Sequence, residues 1–322
     1  MTVPARRRSG WWATGAGLAG GLVLDRIVGD PRRGHPVAAF GRTALVSERL
    51  LYADARLPGT LHAVLLVGGA AGLGLAAKTA TPGAASRSVL TAVATWSVVG
   101  GTTLRAEAAA MSDLIGAGEI DGARRRLSHL CGRDASALDA DGLARATVES
   151  VAENTSDAVV GPLVWGAVLG VPGLLGYRAV NTLDAMVGHR SPRYARFGWA
   201  SARADDLANL LPARLSAALA TGLAPVVGGR PGQAWSAWRR DAGKHPSPNA
   251  GRVEAAFAGA LGRRLGGPLS YGGRLDPRTT LGEGPTPSPA DIARATRLSA
   301  AVTTAAGVLA VAVRLLIDRR RR

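Results

Sequence analysis

Three apolar segments that contain no Asp, Glu, Lys or Arg constrain the fold of this chain more than any other feature. They are residues 61–77, 88–104 and 158–177, and each approaches the ~20 apolar residues that an α-helix needs to cross a bilayer. Weaker candidates are residues 11–24, 215–228 and 299–317, the last of which contains Arg314. Gly and Ala are frequent in these segments and allow close helix packing in lipid. The sequence therefore predicts an all-α, polytopic integral membrane protein with about four to six membrane helices.

Three long polar stretches, residues 25–58, 105–157 and 229–298, alternate with the apolar segments. Apolar residues spaced by three and four predict helices over 111–130 and 137–159, and no alternating strand pattern is present. The third stretch is rich in Gly and Pro, which predicts mostly loop, with one helix near residues 253–265. Residues 288–291 have the types that open a helix. Because no internal repeat occurs, we expect a single membrane-embedded domain, residues 1–322.

The distribution of basic residues conflicts with a topology in which every apolar segment crosses the membrane. Counting Lys and Arg places the polar stretches and both basic termini in the cytoplasm. A re-entrant or half-spanning segment would resolve the conflict, and residues 158–177 are the best candidate because Pro162 and Pro172 interrupt them. Residues 1–24 imitate a signal peptide but lack a small-residue cleavage site, which favours an uncleaved first helix.

A net charge of +16 would indicate nucleic-acid binding in a soluble protein. Here the basic residues lie mostly in loops and at both ends, and no basic helix carries interleaved aromatic residues. Anionic lipid headgroups, with an anionic substrate, explain the excess better. We therefore expect a lipid bilayer as a partner and no nucleic acid. Cys131 is the only cysteine, which excludes an intrachain disulfide.

An acidic ladder precedes the third apolar segment. Glu149, Glu153 and Asp157 are spaced by four residues, so on a helix they share one face and repel each other. A cation should face them, either arginine or a divalent metal, and Mg²⁺ suits such oxygen ligands. Asn154 could add a ligand or an orienting amide. A solvated acidic face is the alternative.

A second polar group covers residues 202–214. On a helix Asp205 and Asn209 are four residues apart and Asp206 is three from Asn209; paired carboxylates with an amide suit a metal–phosphate site, and Arg203 and Arg214 could hold phosphate oxygens. Capping of a helix start by acidic residues is the alternative. Asn181 and Asp184 repeat the pattern, with buried polar pairing between helices as their alternative.

Residues 244–249 form a third candidate. Lys244 is one of two lysines beside 37 arginines, which indicates a need for a compact charge, such as one that reaches a phosphate. His245, Ser247 and Asn249 follow on a Pro-containing loop before a helix, whose free N–H groups favour anions. Near the first helix, Asp30 and His35 are chemically versatile, although the Gly-Asp-Pro sequence is equally typical of a turn.

Together these segments resemble the adenosylcobinamide-phosphate synthase (CobD/CbiB) family of cobalamin biosynthesis. Five motifs carry the resemblance in order, D-R-x-x-G-D-P-x-x-x-H-P at 25–36, E-S-x-A-E-N-x-S-D at 149–157, N-T-L-D-A-M-V-G at 181–188, A-R-x-D-D-x-x-N-x-x-P-A-R at 202–214 and K-H-P-S-P-N-A-G at 244–251. The similarity runs from about residue 22 to residue 298. His189 stands where the family pattern has an aromatic residue such as Tyr, and Val253 where it has Pro.

The resemblance implies a multi-pass protein of the inner (cytoplasmic) cell membrane that uses ATP and Mg²⁺ to join adenosylcobyric acid, a corrinoid, to aminopropanol phosphate or aminopropanol. Other corrinoid-assembly enzymes and a second copy of the chain are further candidate partners. The roles that it suggests are catalytic for Asp184, Asp205, Asp206, Lys244 and His245, metal-binding for Glu149, Glu153 and Asp157, and substrate- or ATP-binding for Asp30, His35, Asn154, Asn181, Arg203, Asn209, Arg214, Ser247 and Asn249.

Two other functions stay open on the sequence alone. A related branch of the same superfamily consists of membrane sensors, which would not need the motifs at 202–214 and 244–251 together. A small-solute transporter would use broken helices around a polar midplane, but the chain has no inverted repeat to support it.

Overall fold

A computed structural model describes residues 10–31, 34–189, 191–267, 269–271, 274–276 and 279–320. Helices dominate these residues, so the all-α prediction is confirmed. The chain divides into two compact units. The first unit contains residues up to 100, 161–209 and from 307, and the second contains residues 101–160 and 210–306.

The first unit contains one long apolar helix and several shorter helices. Its helices are α1 (Ala13–Val28), α2 (Pro36–Leu51), α3 (Arg56–Ala80), α4 (Ala84–Val98), α8 (Gly161–Leu169), α9 (Val171–Leu183) and α10 (Trp199–Ala208). A π-helical turn, Asp184–Gly188, follows α9. The last part of α14 (Pro289–Arg320), from residue 307, completes the unit.

Small residues allow α1 and α4 to pack in direct backbone contact. A Cβ added at Gly17 would lie 2.4 Å from Thr91 Cβ, and one added at Gly21 would lie 2.3 Å from Thr95 Cβ. The four-residue spacing of the two glycines puts them on one face of α1. This is the close packing through glycine that the composition of the apolar segments predicts.

The third apolar segment is interrupted rather than continuous. α8 ends at Leu169 and α9 begins at Val171, with Gly170 between them at φ 70°. The two helices pack against each other, and a Cβ at Gly173 would lie 2.2 Å from the Trp165 carbonyl oxygen. Residues 161–183 therefore form a helical hairpin. The second apolar segment is interrupted as well, since α4 ends at Val98 and α5 begins at Gly101.

The second unit is a helical core with a small β-structure. Its helices are α5 (Gly101–Gly116), α6 (Ile120–Leu127), α7 (Ala140–Thr155), α11 (Leu210–Gly222), α12 (Pro231–Asp241), α13 (Ala250–Leu261) and the first part of α14. A π-helical turn, Ser156–Val160, follows α7, and 3-10 turns lie at Ala224–Val227 and Ala242–Lys244. The helices predicted over 111–130 and 137–159 correspond to parts of α5 to α7.

The stretch 229–298 is more regular than its composition predicts. Before the start of α14 it contains two helices, α12 and α13, where the sequence predicted one near residues 253–265. Its described residues also form four strands, β1 (Leu265–Gly266), β2 (Leu269–Tyr271), β3 (Arg274–Asp276) and β4 (Thr280–Leu281), paired antiparallel as β1 with β4 and β2 with β3. Strands of two or three residues are too short to produce an alternating pattern in the sequence.

Local sequence fixes several helix starts. Asp139 Oδ1 accepts a hydrogen bond from Gly142 N at 2.8 Å and caps α7. At α14 the side chain of Asp291 accepts from both the backbone N–H and the hydroxyl of Ser288. This side-chain cap explains why the predicted start at residues 288–291 is confirmed.

Among the described residues, two helices are long and apolar enough to cross a membrane. They are α3 and α14, which overlap the predicted segments 61–77 and 299–317. The most apolar window of α3 is only 22% buried and that of α14 only 28% buried.

Candidate functional site

The Asp205 cluster consists of Tyr177, Asn181, Asp205 and Asn209 and lies in the first unit. α9 contributes Tyr177 and Asn181, and α10 with the residue after it contributes the other two. Asn209 Nδ2 donates to Asp205 Oδ2 at 3.0 Å, and Asn181 Nδ2 lies 3.5 Å from Asp205 Oδ1. The Tyr177 hydroxyl donates to Asn209 Oδ1 at 2.7 Å. Each oxygen of Asp205 therefore contacts an amide donor.

The environment of Asp205 makes its carboxyl group more basic. Burial raises its pKa, the hydrogen bonds from Asn209 and Asn181 oppose that rise, and the charge of Asp206 adds to it. A carboxylate whose pKa is raised towards neutrality is a better general base than an exposed one. The cluster can therefore accept a proton from a bound substrate.

Arg203, Asp206 and Asp184 lie in the same unit. Arg203 Nη1 forms an ion pair with Asp206 Oδ2 at 3.0 Å, so this arginine already has a carboxylate partner. Asp184 opens the π-helical turn that packs against α10. A Cβ at Gly188 would lie 1.9 Å from Asp184 Oδ1, so the carboxylate approaches the backbone in the space that the glycine leaves open.

Asp30 and His35 face each other near the start of α2. His35 Nε2 lies 3.7 Å from Asp30 Oδ1. The other ring nitrogen, Nδ1, accepts from Val37 N at 3.1 Å and so caps the helix. These two candidate residues therefore lie close together, and His35 also has a local structural role.

In the second unit, Lys244 is held by an aspartate that sequence reasoning missed. Asp241 is 2% exposed, and its oxygens lie 2.8 Å from Lys244 Nζ and 2.8 Å from Arg240 Nη2. Gly282 N donates to the same carboxylate at 2.9 Å. Burial alone would raise the pKa of Asp241, but these donors together hold it well below its ordinary range. The Arg-Arg-Asp sequence just before the motif was the available signal.

His245, Ser247 and Asn249 form a loop that closes on itself at the start of α13. Ser247 N donates to His245 Nδ1 at 3.0 Å. The Ser247 hydroxyl accepts from Asn249 N at 3.3 Å and from Ala250 N at 3.2 Å. His245 Nε2 lies 3.8 Å from Glu254 Oε1, a buried carboxylate that sequence reasoning also missed. The motif therefore has a structural role as a helix cap.

The three members of the acidic ladder differ in their burial. Glu149 is buried, and its oxygens lie 2.5 Å from Arg133 Nη2 and 2.7 Å from Gly266 N. Glu153 is exposed, and Asp157 is half-buried in the π-helical turn that follows α7. The cation expected opposite the ladder is thus arginine at Glu149. Within the described ranges, no three His, Cys, Asp or Glu side chains are grouped so that they could hold a metal ion.

Asn154 and Arg214 make bonds within their own helices. Asn154 Nδ2 donates to the Ser150 carbonyl oxygen at 2.9 Å. Arg214 Nη1 donates to the Leu210 carbonyl oxygen at 2.7 Å. Nine of the predicted site residues lie in the second unit. They are Arg214, Lys244, His245, Ser247 and Asn249, together with Glu149, Glu153, Asn154 and Asp157 of α7 and the π-helical turn that follows it.

The first unit also contains an apolar cavity of about 380 Å³. Its wall is formed mainly by α2, α3 and α9, and its polar residues are Arg178, Thr182, Thr43 and Ser97. Arg178 Nη1 lies 3.5 Å from Asn181 Oδ1, so the cavity adjoins the Asp205 cluster. An apolar group next to the reacting centre of a substrate would fit there.

The sequence is similar to known proteins over nearly its whole length. The family model described as CobD/Cbib protein matches residues 18–299. The cobalamin biosynthesis protein CobD of Mycobacterium tuberculosis strain H37Rv is 54% identical over 97% of this chain and 99% of its own length. Proteins of the same name from Rhodobacter capsulatus and Chromobacterium violaceum are 42% and 43% identical, over 90% and 91% of this chain and 95% and 96% of their own lengths. No solved structure matches the chain.

Proposed function

This chain belongs to the CobD/CbiB protein family and functions in cobalamin biosynthesis, and from that premise we propose that it is an ATP- and Mg²⁺-dependent ligase. It joins the carboxylate of adenosylcobyric acid to the amine of aminopropanol phosphate, or of aminopropanol, to give adenosylcobinamide phosphate or adenosylcobinamide. The observation that carries this proposal is the Asp205 cluster, because amide formation needs a base for the attacking amine.

The reaction needs activation of the acid before the amine can attack. The substrate carboxylate attacks the γ-phosphorus of ATP, which forms an acyl phosphate and releases ADP. The amine then attacks the acyl carbon, the amide bond forms, and inorganic phosphate leaves with the bonding electron pair. Asp205 accepts the proton that the amine loses. The amides of Asn181 and Asn209 hold the Asp205 carboxylate in place for this transfer.

Neutralisation of the phosphate charge is the second requirement of the reaction. Arg203, Arg214 and Lys244 supply positive charge for phosphate oxygens, and preorganised cations of this kind stabilise the charge that develops during phosphoryl transfer. Mg²⁺ binds through one or two carboxylates while nucleotide phosphates supply further ligands. Glu153 and Asp157 are more exposed than Glu149, which is buried against Arg133, and so they are the more accessible carboxylates for this arrangement. When bound, the ion neutralises phosphate charge.

We further propose that the protein is a multi-pass protein of the cytoplasmic membrane. Support comes from α3 and α14, whose apolar windows are largely exposed within the protein; burial in lipid would remove that apolar surface from water. The hairpin of α8 and α9 suits a re-entrant insertion because α8 has 9 residues and α9 has 13, both fewer than the ~20 of a crossing helix. Extraction of membranes at alkaline pH would leave an integral protein in the pellet and release a peripheral one.

The function is tested with purified, detergent-solubilised protein given adenosylcobyric acid, aminopropanol phosphate, ATP and Mg²⁺. A cobinamide product that requires ATP, formed together with ADP and phosphate, is the expected result. Parallel reactions without the acid or without the amine control for idle ATP hydrolysis. Folded protein that forms no amide with either amine would contradict the proposal.

A further inference from the structure

Two arginines of the second unit stand out because neither has a carboxylate partner among the described residues. Arg214 lies on α11 and Arg252 lies in the first turn of α13, and these helices pack against each other. Arg214 Nη1 donates to the Leu210 carbonyl oxygen at 2.7 Å, and Arg252 Nε donates to the Pro248 carbonyl oxygen at 3.1 Å. Both side chains therefore use only part of their donor capacity, on their own segments of chain.

The two guanidinium groups interact unfavourably. Burial lowers the pKa of Arg214, and the positive charge of Arg252 lowers it further. Like charges on two packed helices cost free energy unless an anion lies with them. The other cations considered for phosphate differ in this respect, since Arg203 is paired with Asp206 at 3.0 Å and Lys244 with Asp241 at 2.8 Å.

The backbone N–H groups at the start of α13 are not the donors that would hold an anion beside these arginines. Two of the N–H groups there, those of Asn249 and Ala250, already donate to the Ser247 hydroxyl. The unused donors are those of the two guanidinium groups. Each guanidinium presents a planar fork that matches two oxygens of a phosphate, whereas an ammonium acts as a single charge.

We propose that Arg214 and Arg252 together bind one phosphate group of a substrate. The inference rests on the proposed ligase function and extends it, because Arg252 is assigned a role and a single phosphate is placed between two helices of the second unit. The phosphate belongs either to ATP or to the phosphorylated amine, and both sources share the same dianionic chemistry.

The experiment compares the Arg252→Ala and Arg252→Lys variants with wild type and with Arg125→Ala, a matched change at an exposed arginine of α6. KM is measured separately for ATP, aminopropanol phosphate and aminopropanol. Loss of a charge-assisted hydrogen bond to phosphate should raise one KM about tenfold. A rise for aminopropanol phosphate, with none for aminopropanol, assigns the site to the amine, whereas a rise for ATP assigns it to the nucleotide.

Arg252→Lys should recover only part of the loss, because it restores the charge without the fork. Three unchanged KM values in Arg252→Ala would overturn the proposal. A binding measurement separates this result from a failure of the ligase function. Tripolyphosphate and inorganic phosphate are titrated into wild type and Arg252→Ala while the unfolding temperature is recorded. Stabilisation that the variant loses supports the anion site even in a protein that forms no amide, and equal responses contradict it.

Discussion

The Tyr177 hydroxyl donates to Asn209 Oδ1 at 2.7 Å and thereby fixes which end of that amide faces Asp205. With the oxygen of Asn209 occupied by Tyr177, its nitrogen is directed to the carboxylate, 3.0 Å away. Asn209 is 1% exposed and Tyr177 is 3% exposed, so water cannot replace either partner. The orientation of Asp205 thus depends on Tyr177 of α9, which acts through Asn209.

Replacing Tyr177 by Phe tests this dependence. The change leaves a buried acceptor on Asn209 without its donor, which should cost about 1–3 kcal/mol of unfolding free energy. It should also reduce kcat about tenfold, because a misdirected amide no longer holds Asp205. Tyr52→Phe is the matched control, since its hydroxyl bonds to the Arg193 carbonyl oxygen at an exposed position. Equal effects of the two changes on kcat would contradict the proposed link.

Asp205→Asn separates the catalytic role of the carboxylate from its structural cost. Loss of a general base should lower kcat by about 100-fold or more while membrane insertion is unchanged. Because burial raises the folded-state pKa above 3.8, wild type loses stability as the pH rises from that value through the raised pKa. The asparagine variant does not titrate, so its stability relative to wild type should increase over that window. Asp121→Asn, at an exposed carboxylate of α6, should show neither effect, and full activity of Asp205→Asn would exclude Asp205 as the base.

Glu149→Gln distinguishes a buried ion pair from a metal ligand. The change removes a buried negative charge that lies 2.5 Å from Arg133 Nη2 and 4.0 Å from Arg145 Nε. Removing one member of a buried ion pair should cost about 3–5 kcal/mol of unfolding free energy. The Mg²⁺ concentration needed for half-maximal activity should stay the same. The exposed Glu153 gives the matched control, and Glu153→Gln should change stability by less than about 0.5 kcal/mol while raising the Mg²⁺ requirement. A higher Mg²⁺ requirement in Glu149→Gln, with no change in Glu153→Gln, would instead assign the metal-binding role to Glu149.

The sequence predicted side-chain neighbours well when they lie on one helix. Asp205 and Asn209 are an example, because a spacing of four residues places two side chains on one helix face whatever the tertiary fold. What lies opposite Glu149 could not be predicted from the spacing of the ladder from Glu149 to Asp157. Helix spacing states which residues share a face but not what lies opposite, and Arg133 and Gly266 approach Glu149 from other parts of the chain.

Breaks within apolar segments were also only partly predictable. Pro162 and Pro172 indicated an interruption between residues 158 and 177, but the bend lies at Gly170, where a positive φ is required. The helix α12 was missed because the glycines and prolines around it dominate the composition of that stretch. Asp241 and Glu254 were missed because each stands alone in its local sequence. Their importance comes from Lys244 and His245, which the fold brings within 2.8 and 3.8 Å respectively.

Replacing glycine by alanine should destabilise the protein at the contact between α1 and α4 and stabilise it on the open face of α3. Gly21→Ala adds a Cβ 2.3 Å from Thr95 Cβ and 2.7 Å from the Ala92 carbonyl oxygen; the clash involves backbone, so it should cost about 1–3 kcal/mol. Gly72→Ala adds a Cβ to α3 where no heavy atom lies within 4 Å. There the lower chain entropy of alanine should stabilise the helix by about 0.5–1 kcal/mol. Unfolding temperatures of the detergent-solubilised variants measure both effects, and a Gly21→Ala variant as stable as wild type would mean that α1 and α4 do not pack through this face.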